Sequence, residues 1–238
     1  MAKPTAPQTK WRGKEICQFN PEHENTDIFY TDVKMCQKIK VVDHGPKNAH
    51  RILYEKALEY VEDQINAVDV GCRDGEFTRY LSWSFDHVHA FDYRRRIYFA
   101  MNIDITKNQV THYTCALGEH IATEYASGRG NFRSNKVDPR WKNQQQKVYT
   151  LDYFNFKDVN LIKIDVDGMD GEVVKGGMDT IKRCKPVIII EEISPTDGMP
   201  NHDGVALLQN IGYNVVYTHK SGRIHKDHVM VPSKSIRI

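Results

Sequence analysis

Short apolar runs that alternate with amphipathic stretches dominate the chain from residue 48 onwards. Two of these runs, Ala67–Val70 and Leu161–Val166, carry aspartate close to their ends and lead into a glycine. β-Branched runs of this length are typical of parallel strands that are buried on both faces. In doubly wound sheets, ligands bind at the carboxyl ends of such strands. We therefore predict that the two runs are central strands and that a ligand binds at their tips.

The same pattern predicts the remaining elements of an α/β fold. Further strands are expected at 87–91, 110–115, 148–151 (a short or edge strand) and 187–190, with a terminal hairpin at 213–218 and 224–231. Helices are expected from residue 48 and at 75–83, 94–101, 170–184 and 202–211. Strands that alternate with helices and end in a hairpin indicate a doubly wound, mostly parallel sheet with antiparallel strands at its end.

Two polar segments interrupt this pattern. Residues 1–47 contain four of the nine prolines and little periodicity, which predicts a partly disordered extension before a single domain at 48–238. Residues 127–147 contain six Lys or Arg and one acid. A polar connection of this length is typical of functional loops, so 118–147 is either a lid or substrate loop, or a solvated insertion.

Composition narrows the class of protein only slightly. The chain has 238 residues and a net charge of +2, which suits one large α/β domain and does not argue for a nucleic-acid binder. No apolar run approaches a membrane span, and the first residues lack the apolar core of a signal peptide. The five cysteines form no CxxC motif, which favours reduced thiols. We expect a cytoplasmic protein that does not bind a membrane.

The turn after the first strand contains two glycines with GxxxG spacing, Gly71 and Gly75. The dinucleotide fingerprint is GxGxxG, and Arg73 stands where its second glycine would be. A nucleoside with an amino-acid tail fits this turn better, since Asp69 can attract an ammonium group. Asp92, which ends the second strand, is positioned to bind the two hydroxyl groups of a ribose. The alternatives are an ordinary strand-to-helix turn and a surface aspartate.

Acidic residues also end the two later strands. Asp165 and Asp167 follow one strand, and Glu191 and Glu192 end the next. Carboxylates at neighbouring strand tips can bind a hard cation such as Mg²⁺, or one can act as a general base. The alternative is helix capping and salt bridges with Lys163 or Lys175. His202, which follows the second of these strands after a loop, is a further candidate base.

Together these motifs resemble those of the FkbM family of S-adenosylmethionine-dependent methyltransferases, over roughly residues 50–217. The shared elements are Asp69-Val-Gly-x-x-x-Gly75, the acid at 92, Ala116-Leu-Gly118, Thr150-Leu-Asp152, Gly212-Tyr213 and, most specifically, the stretch 161–177 that begins Leu-Ile-Lys-Ile-Asp-Val-Asp-Gly. The family usually has Asn where Arg73 stands, Glu-Pro in place of Asp92-Tyr93, and Glu in place of Asp167.

The resemblance implies a class I methyltransferase fold with a seven-stranded sheet, S-adenosylmethionine as cofactor and methylation of a hydroxyl group on a sugar or other small molecule. The residues expected to line the cofactor are Asp69, Gly71, Arg73, Gly75, Asp92, Cys115 and Ala116. Asp165 and His202 are the candidate catalytic residues. By analogy with related sugar O-methyltransferases that look metal-dependent, Asp165, Glu191 and Glu192 are candidate Mg²⁺ ligands.

Two other functions remain open at this point. The basic segment 127–147 and the run Arg94–Arg96 could serve a nucleic-acid methyltransferase or binder. This is the less favoured interpretation, because the Lys-Asp-Lys-Glu tetrad of RNA 2′-O-methyltransferases is not recognisable. A non-catalytic S-adenosylmethionine-binding module is the other alternative, and Arg73 is the only residue that supports it.

Overall fold

The computed structural model describes residues 49–93, 110–125, 145–166, 168–193, 204–221 and 225–233. The strands are β1 (Asn66–Val70), β2 (His87–Phe91), β3 (Val110–Tyr113), β4 (Ala116–Leu117), β5 (Ala122–Tyr125), β6 (Gln145–Tyr149), β7 (Val159–Ile164), β8 (Val187–Ile193), β9 (Tyr213–Ser221) and β10 (His225–Pro232). The helices are α1 (Ala49–Leu58), α2 (Glu76–Ser82), α3 (Asp170–Gly176), α4 (Met178–Cys184) and α5 (Gly204–Asn210), with a 3₁₀ helix at Leu151–Phe154.

Seven of the strands form one sheet in the order β3-β2-β1-β7-β8-β10-β9. The first five of these are parallel, whereas β10 runs antiparallel to both of its neighbours. The predicted fold, a mostly parallel seven-stranded sheet with a terminal antiparallel hairpin, is therefore confirmed. The hairpin inserts its last strand, β10, against β8, so β9 becomes the edge of the sheet.

Helices cover both faces of this sheet. Because its central strands are therefore buried on both sides, their sequences are nearly continuous apolar runs. On one face, Leu53 of α1 and Phe77 of α2 pack over Ala67 and Leu161. The opposite face carries a second core in which Val68 and its neighbours pack with residues of α3, α4 and α5. Because side chains alternate along a strand, Asp69 and Lys163 share the face of α1 and α2.

The helix predicted at 170–184 is instead two helices, α3 and α4, which are separated at Gly177. A Cβ atom at Gly177 would lie 2.9 Å from Leu151 Cδ2, so packing against Leu151 leaves no room for a side chain at this break. Asp152 then caps α4, because its carboxylate accepts hydrogen bonds from the N–H groups of Asp179 (3.1 Å) and Thr180 (2.8 Å). The Thr-Leu-Asp motif therefore has a structural role.

A second, three-stranded sheet in the order β4-β6-β5 includes part of the segment 118–147 that was predicted as a loop. The expected short strand at 148–151 is β6, which begins earlier, at Gln145, and ends at Tyr149 before the 3₁₀ helix. Part of the predicted lid, Ala122–Tyr125, is strand β5.

Several predicted features lie outside the described residues: the extension 1–47, the basic run Arg94–Arg96, most of 127–147, Asp167 and His202. Within the described ranges, no helix is long and apolar enough to cross a membrane.

Candidate functional site

The turn after β1 is fixed to its two neighbouring strands. The N–H groups of Gly71 and Cys72 both donate to the Phe91 carbonyl oxygen, at 2.9 and 3.0 Å. Gly71 has φ +81°, and a Cβ atom there would lie 1.9 Å from the carbonyl oxygen of Asp165. This glycine is therefore required by the close approach of the β1 and β7 ends, whether or not a ligand lies against it. Gly75, with φ +80°, starts α2.

Asp92 lies beside this turn, at the end of β2. Its Oδ2 atom accepts a hydrogen bond from the Arg73 N–H group at 3.0 Å, and its own N–H donates to the Tyr113 carbonyl oxygen at 3.2 Å. The structure thus brings the predicted ribose-binding acid next to the predicted cofactor turn.

Arg73 has a left-handed backbone conformation, with φ +46°. Its side chain is 75% exposed, and its Nε atom lies 3.7 Å from Asp74 Oδ2. Left-handed conformations disfavour most side chains but are tolerated by asparagine, the residue that the family usually has here. The unusual feature of Arg73 is therefore its backbone strain, since its charged group lies in solvent.

Replacing Arg73 by asparagine is expected to stabilise the fold by about 0.5–1 kcal/mol, because asparagine adopts the left-handed conformation more readily than arginine. Urea unfolding followed by tryptophan fluorescence measures the change. Arg73→Ala is the matched control, since alanine removes the side chain but keeps the backbone penalty. Equal gains for the two variants would show that the backbone is not the cause.

A buried lysine joins the tips of the two central strands. Lys163 Nζ lies 3.5 Å from Asp69 Oδ1 and 3.2 Å from Asp165 Oδ2, and it donates to the Gly71 carbonyl oxygen at 3.2 Å. Asp69 is fully buried, and its other oxygen accepts a hydrogen bond from the Thr78 hydroxyl at 2.5 Å. The open alternative of a salt bridge between Asp165 and Lys163 is confirmed.

This arrangement changes the interpretation of both aspartates. Asp69 was expected to attract the ammonium of a ligand directly, but Thr78 and Lys163 enclose its carboxylate. Burial raises the pKa of Asp165, but the charge of Lys163 and its hydrogen bond outweigh burial and hold that pKa below its usual value. Burial lowers the pKa of Lys163, but the two aspartates raise it above its usual value. Asp165 is therefore a poor proton acceptor by itself.

Glu191, on β8, lies beside Asp165 on the same face of the sheet. Burial and the charge of Asp165 raise the pKa of Glu191 to about 7, against the opposing hydrogen bond from His225. His225 Nδ1 lies 2.8 Å from Glu191 Oε1. Two carboxyl groups, one of them ready to carry a proton near neutral pH, thus meet at the tips of β7 and β8.

The structure does not assemble the predicted Mg²⁺ site. Glu191 and Glu192 are consecutive in a strand, so their side chains point to opposite faces. Glu192 lies 3.1 Å from both Lys226 Nζ and His228 Nε2, away from Asp165. Among the described residues, no three acids, histidines or cysteines are grouped as metal ligands would be. The prediction of three converging carboxylates is wrong for this part of the chain.

The other predicted cofactor residues differ in exposure. Cys115 is buried in the core and does not line an exposed surface, and burial raises the pKa of its thiol. Ala116 is half-buried at the start of β4. Asp170 shapes the loop after β7, because its carboxylate accepts hydrogen bonds from the N–H groups of Val166 and Gly168, both at 3.3 Å.

Sequence reasoning missed two residues near this cluster. His50, at the start of α1, lies 3.5 Å from Glu76 Oε2, and its charge contributes to the low pKa of Asp165. His225, the second, comes from β10, more than thirty positions after Glu191. Lys163, by contrast, left a signal in the sequence, as a charged residue inside an apolar strand.

A parallel sheet of this strand order, a glycine turn after its first strand and an acid after its second define the class I methyltransferase fold. The seven-stranded sheet and the helices on both of its faces match this class.

The comparison with protein families assigns the chain more closely. The model of the methyltransferase FkbM domain matches residues 20–215, which is most of the chain. The protein therefore belongs to the FkbM family of methyltransferases. A search of curated proteins finds no match.

Solved structures of several methyltransferases are similar to this chain. The methyltransferase FkbM from Methylobacillus flagellatus KT aligns with a TM-score of 0.50 and 16% identity, over 75% of this chain and 51% of its own, so the chain spans about half of that protein. An rRNA methylase from Streptococcus thermophilus aligns at 0.48 with 11% identity, over 79% and 98% of the two chains. The 1,6-didemethyltoxoflavin-N1-methyltransferase of Burkholderia thailandensis, solved with S-adenosylhomocysteine, aligns at 0.46 with 13% identity, over 78% of each chain.

Proposed function

We propose that this protein transfers a methyl group from S-adenosylmethionine to a hydroxyl group of a sugar or other small molecule. The observation that carries this proposal is the meeting of three features at the carboxyl edge of the sheet: the glycine turn, Asp92 and the Asp165–Glu191 pair. Membership of the FkbM family supports the reaction type, whereas the cofactor and the hydroxyl acceptor are our inference.

The residues at this edge suit such a cofactor. Asp92 is a hydrogen-bond acceptor placed beside the turn, where the hydroxyl groups of a ribose would bind. The side chain of Asp165 remains 33% exposed, so an acidic group is accessible where a ligand with an ammonium group would be attracted. The Arg73 side chain lies in solvent and does not pack over the turn. Asp69, closed off by Lys163 and Thr78, supports the strand tips as a positioning residue.

When bound, S-adenosylmethionine supplies a methyl group already activated by its sulfonium. The protein must then hold the acceptor oxygen in line with that methyl group and receive the hydroxyl proton. A carboxyl pair at the strand tips can perform the second task. A hydroxyl acceptor is favoured because a neutral hydroxyl group must lose its proton on methylation.

Calorimetry with S-adenosylmethionine and S-adenosylhomocysteine tests the cofactor. Asp92→Ala is expected to weaken both ligands about tenfold or more, since hydrogen bonds to a charged group contribute about 1.5–3 kcal/mol. Asp86→Ala is the matched control, because Asp86 is exposed at the opposite end of β2 and should leave affinity unchanged. If wild-type protein binds neither ligand, the proposed function is lost.

The acceptor requires a separate experiment. Protein incubated with methyl-labelled S-adenosylmethionine and panels of sugars, other small alcohols, amines and RNA should label only the sugars or other small alcohols. Labelled amine or RNA products would contradict the proposed acceptor class while leaving methyl transfer intact.

A further inference from the structure

We propose that Glu191 and Asp165 form a carboxyl–carboxylate pair that accepts the proton of the methyl acceptor, with His225 as the residue that positions Glu191. This inference rests on the proposed function and names the residues that receive the proton. It replaces the expectation that Asp165 is the base by itself.

The surroundings of the two Glu191 carboxyl oxygens favour a protonated Glu191. Its side chain is only 13% exposed, and Oε1 lies 2.8 Å from His225 Nδ1. The other oxygen, Oε2, is buried and has no hydrogen-bond donor among the described residues. A buried carboxylate oxygen without a donor is costly, so a proton on Glu191 is the simplest way to satisfy it.

The Asp165 carboxyl provides the partner for that proton. Asp165 directly follows β7, and Glu191 lies on β8, its parallel neighbour. Because Ile164 pairs with Ile190, the next residues, Asp165 and Glu191, place their side chains on one face of the sheet. The two carboxyl groups interact, since the charge of Asp165 contributes to the raised pKa of Glu191. Two ionised carboxylates repel, whereas one proton between them gives a hydrogen bond that links them. Lys163 keeps Asp165 ionised, which places the shared proton on Glu191.

The pair is suited to receive a proton near neutral pH, because a general base works best when its pKa is close to the working pH. In the transfer, the acceptor oxygen forms its bond to the methyl carbon as the carbon–sulfur bond breaks. The bonding electrons stay on sulfur, and the hydroxyl proton moves to the ionised pair. The charged and titratable groups around Glu191 that shape its titration are Lys163 on β7, Asp165 directly after β7, Asp170 on α3, and His225 and Asp227 on β10.

His225 links this carboxyl pair to solvent at the protein surface. Its side chain is half-exposed, while Glu191 is nearly buried, so the imidazole connects the pair with solvent. The described structure also gives His225 a positioning role, since it fixes one oxygen of Glu191 and leaves the other toward Asp165.

Carbon-13 NMR of the full-length protein, labelled at the glutamate carboxyl carbon, tests the pair without any substrate. Glu191, assigned by its loss in Glu191→Gln, is expected to titrate with a midpoint near pH 7. Asp165→Asn should lower that midpoint, because it removes a negative charge, and His225→Ala should raise it, because it removes a stabilising hydrogen bond. Glu192→Gln is the matched control, since this neighbour points to the other face and should leave the midpoint unchanged. A wild-type midpoint in the ordinary range of about 4–5 would overturn the pair.

A second measurement places the pair beside the reacting methyl group. The sulfonium of S-adenosylmethionine carries a positive charge that S-adenosylhomocysteine lacks, so it should displace part of the shared proton at pH 7. Calorimetry in buffers of different ionisation enthalpy should show more proton release with S-adenosylmethionine, and Glu191→Gln should abolish this difference. Equal release for both ligands in wild-type protein would overturn the placement. Failure of both ligands to bind, with the Glu191 midpoint still near 7, would instead refute only the proposed function.

Discussion

Replacing Gly71 by alanine is expected to destabilise the folded protein by about 3 kcal/mol or more, the combined cost of a strained backbone and a severe overlap. The added Cβ atom would lie 1.9 Å from the Asp165 carbonyl oxygen, and this contact is with backbone that cannot move without separating β1 from β7. Gly71 also has φ +81°, which alanine adopts poorly. Chemical unfolding followed by circular dichroism measures the loss.

Gly212→Ala is the matched control for this substitution. Gly212 has φ +88°, but the nearest atom to an added Cβ is Ser233 Oγ, at an ordinary contact distance of 3.6 Å. We expect a loss of about 1–2 kcal/mol there, from the backbone conformation alone. The difference between the two variants is the cost of the contact between strand tips. Equal losses would mean that the ends of β1 and β7 separate easily, which would contradict the requirement for glycine at position 71.

Lys163→Met is expected to destabilise the protein by about 3–5 kcal/mol, the usual cost of removing one member of a buried ion pair. The variant leaves Asp69 and Asp165 without their shared cation, and Asp69 has no access to water. Lys226→Met is the control, because Lys226 pairs with Glu192 while 39% exposed and should cost less than about 1 kcal/mol. Unfolding in urea at pH 7 measures both.

The pH dependence of the Lys163→Met effect provides a second check. In the wild type, the lowered pKa of Asp165 contributes stability that is present above the unfolded pKa of about 4 and is lost as the pH falls through the folded value. In the variant, protonation of the uncompensated carboxyls at low pH relieves their repulsion. The difference in unfolding free energy between wild type and variant should therefore shrink between about pH 7 and pH 4. A constant difference would show that lost packing, and not charge, is the cause.

Much of the fold follows from local patterns in the sequence. The apolar runs at 67–70 and 161–166 predict central strands because burial on both faces requires continuous apolar residues, and both lie at the centre of the sheet. Gly71, Gly75 and Asp92 also lie together as predicted, because parallel strands bring their carboxyl ends to one edge. The alternation of side chains along β8 already separates Glu191 from Glu192, so the sequence contained the reason why the two cannot bind one metal ion.

Only the tertiary structure decided which side chains complete the site. The position of β10 between β8 and β9 brings His225 to Glu191, and no local pattern specifies that order, since either strand of a hairpin can pair with the sheet. Lys163 lies between Asp69 and Asp165 because β1 and β7 are neighbours in a fixed register. The pKa shifts of Asp165 and Glu191 follow from these long-range contacts, because a pKa depends on burial and nearby charge. The sequence by itself determined the fold, the family and the edge of the sheet that carries the candidate site. Packing determined which carboxyl group at that edge has the raised pKa.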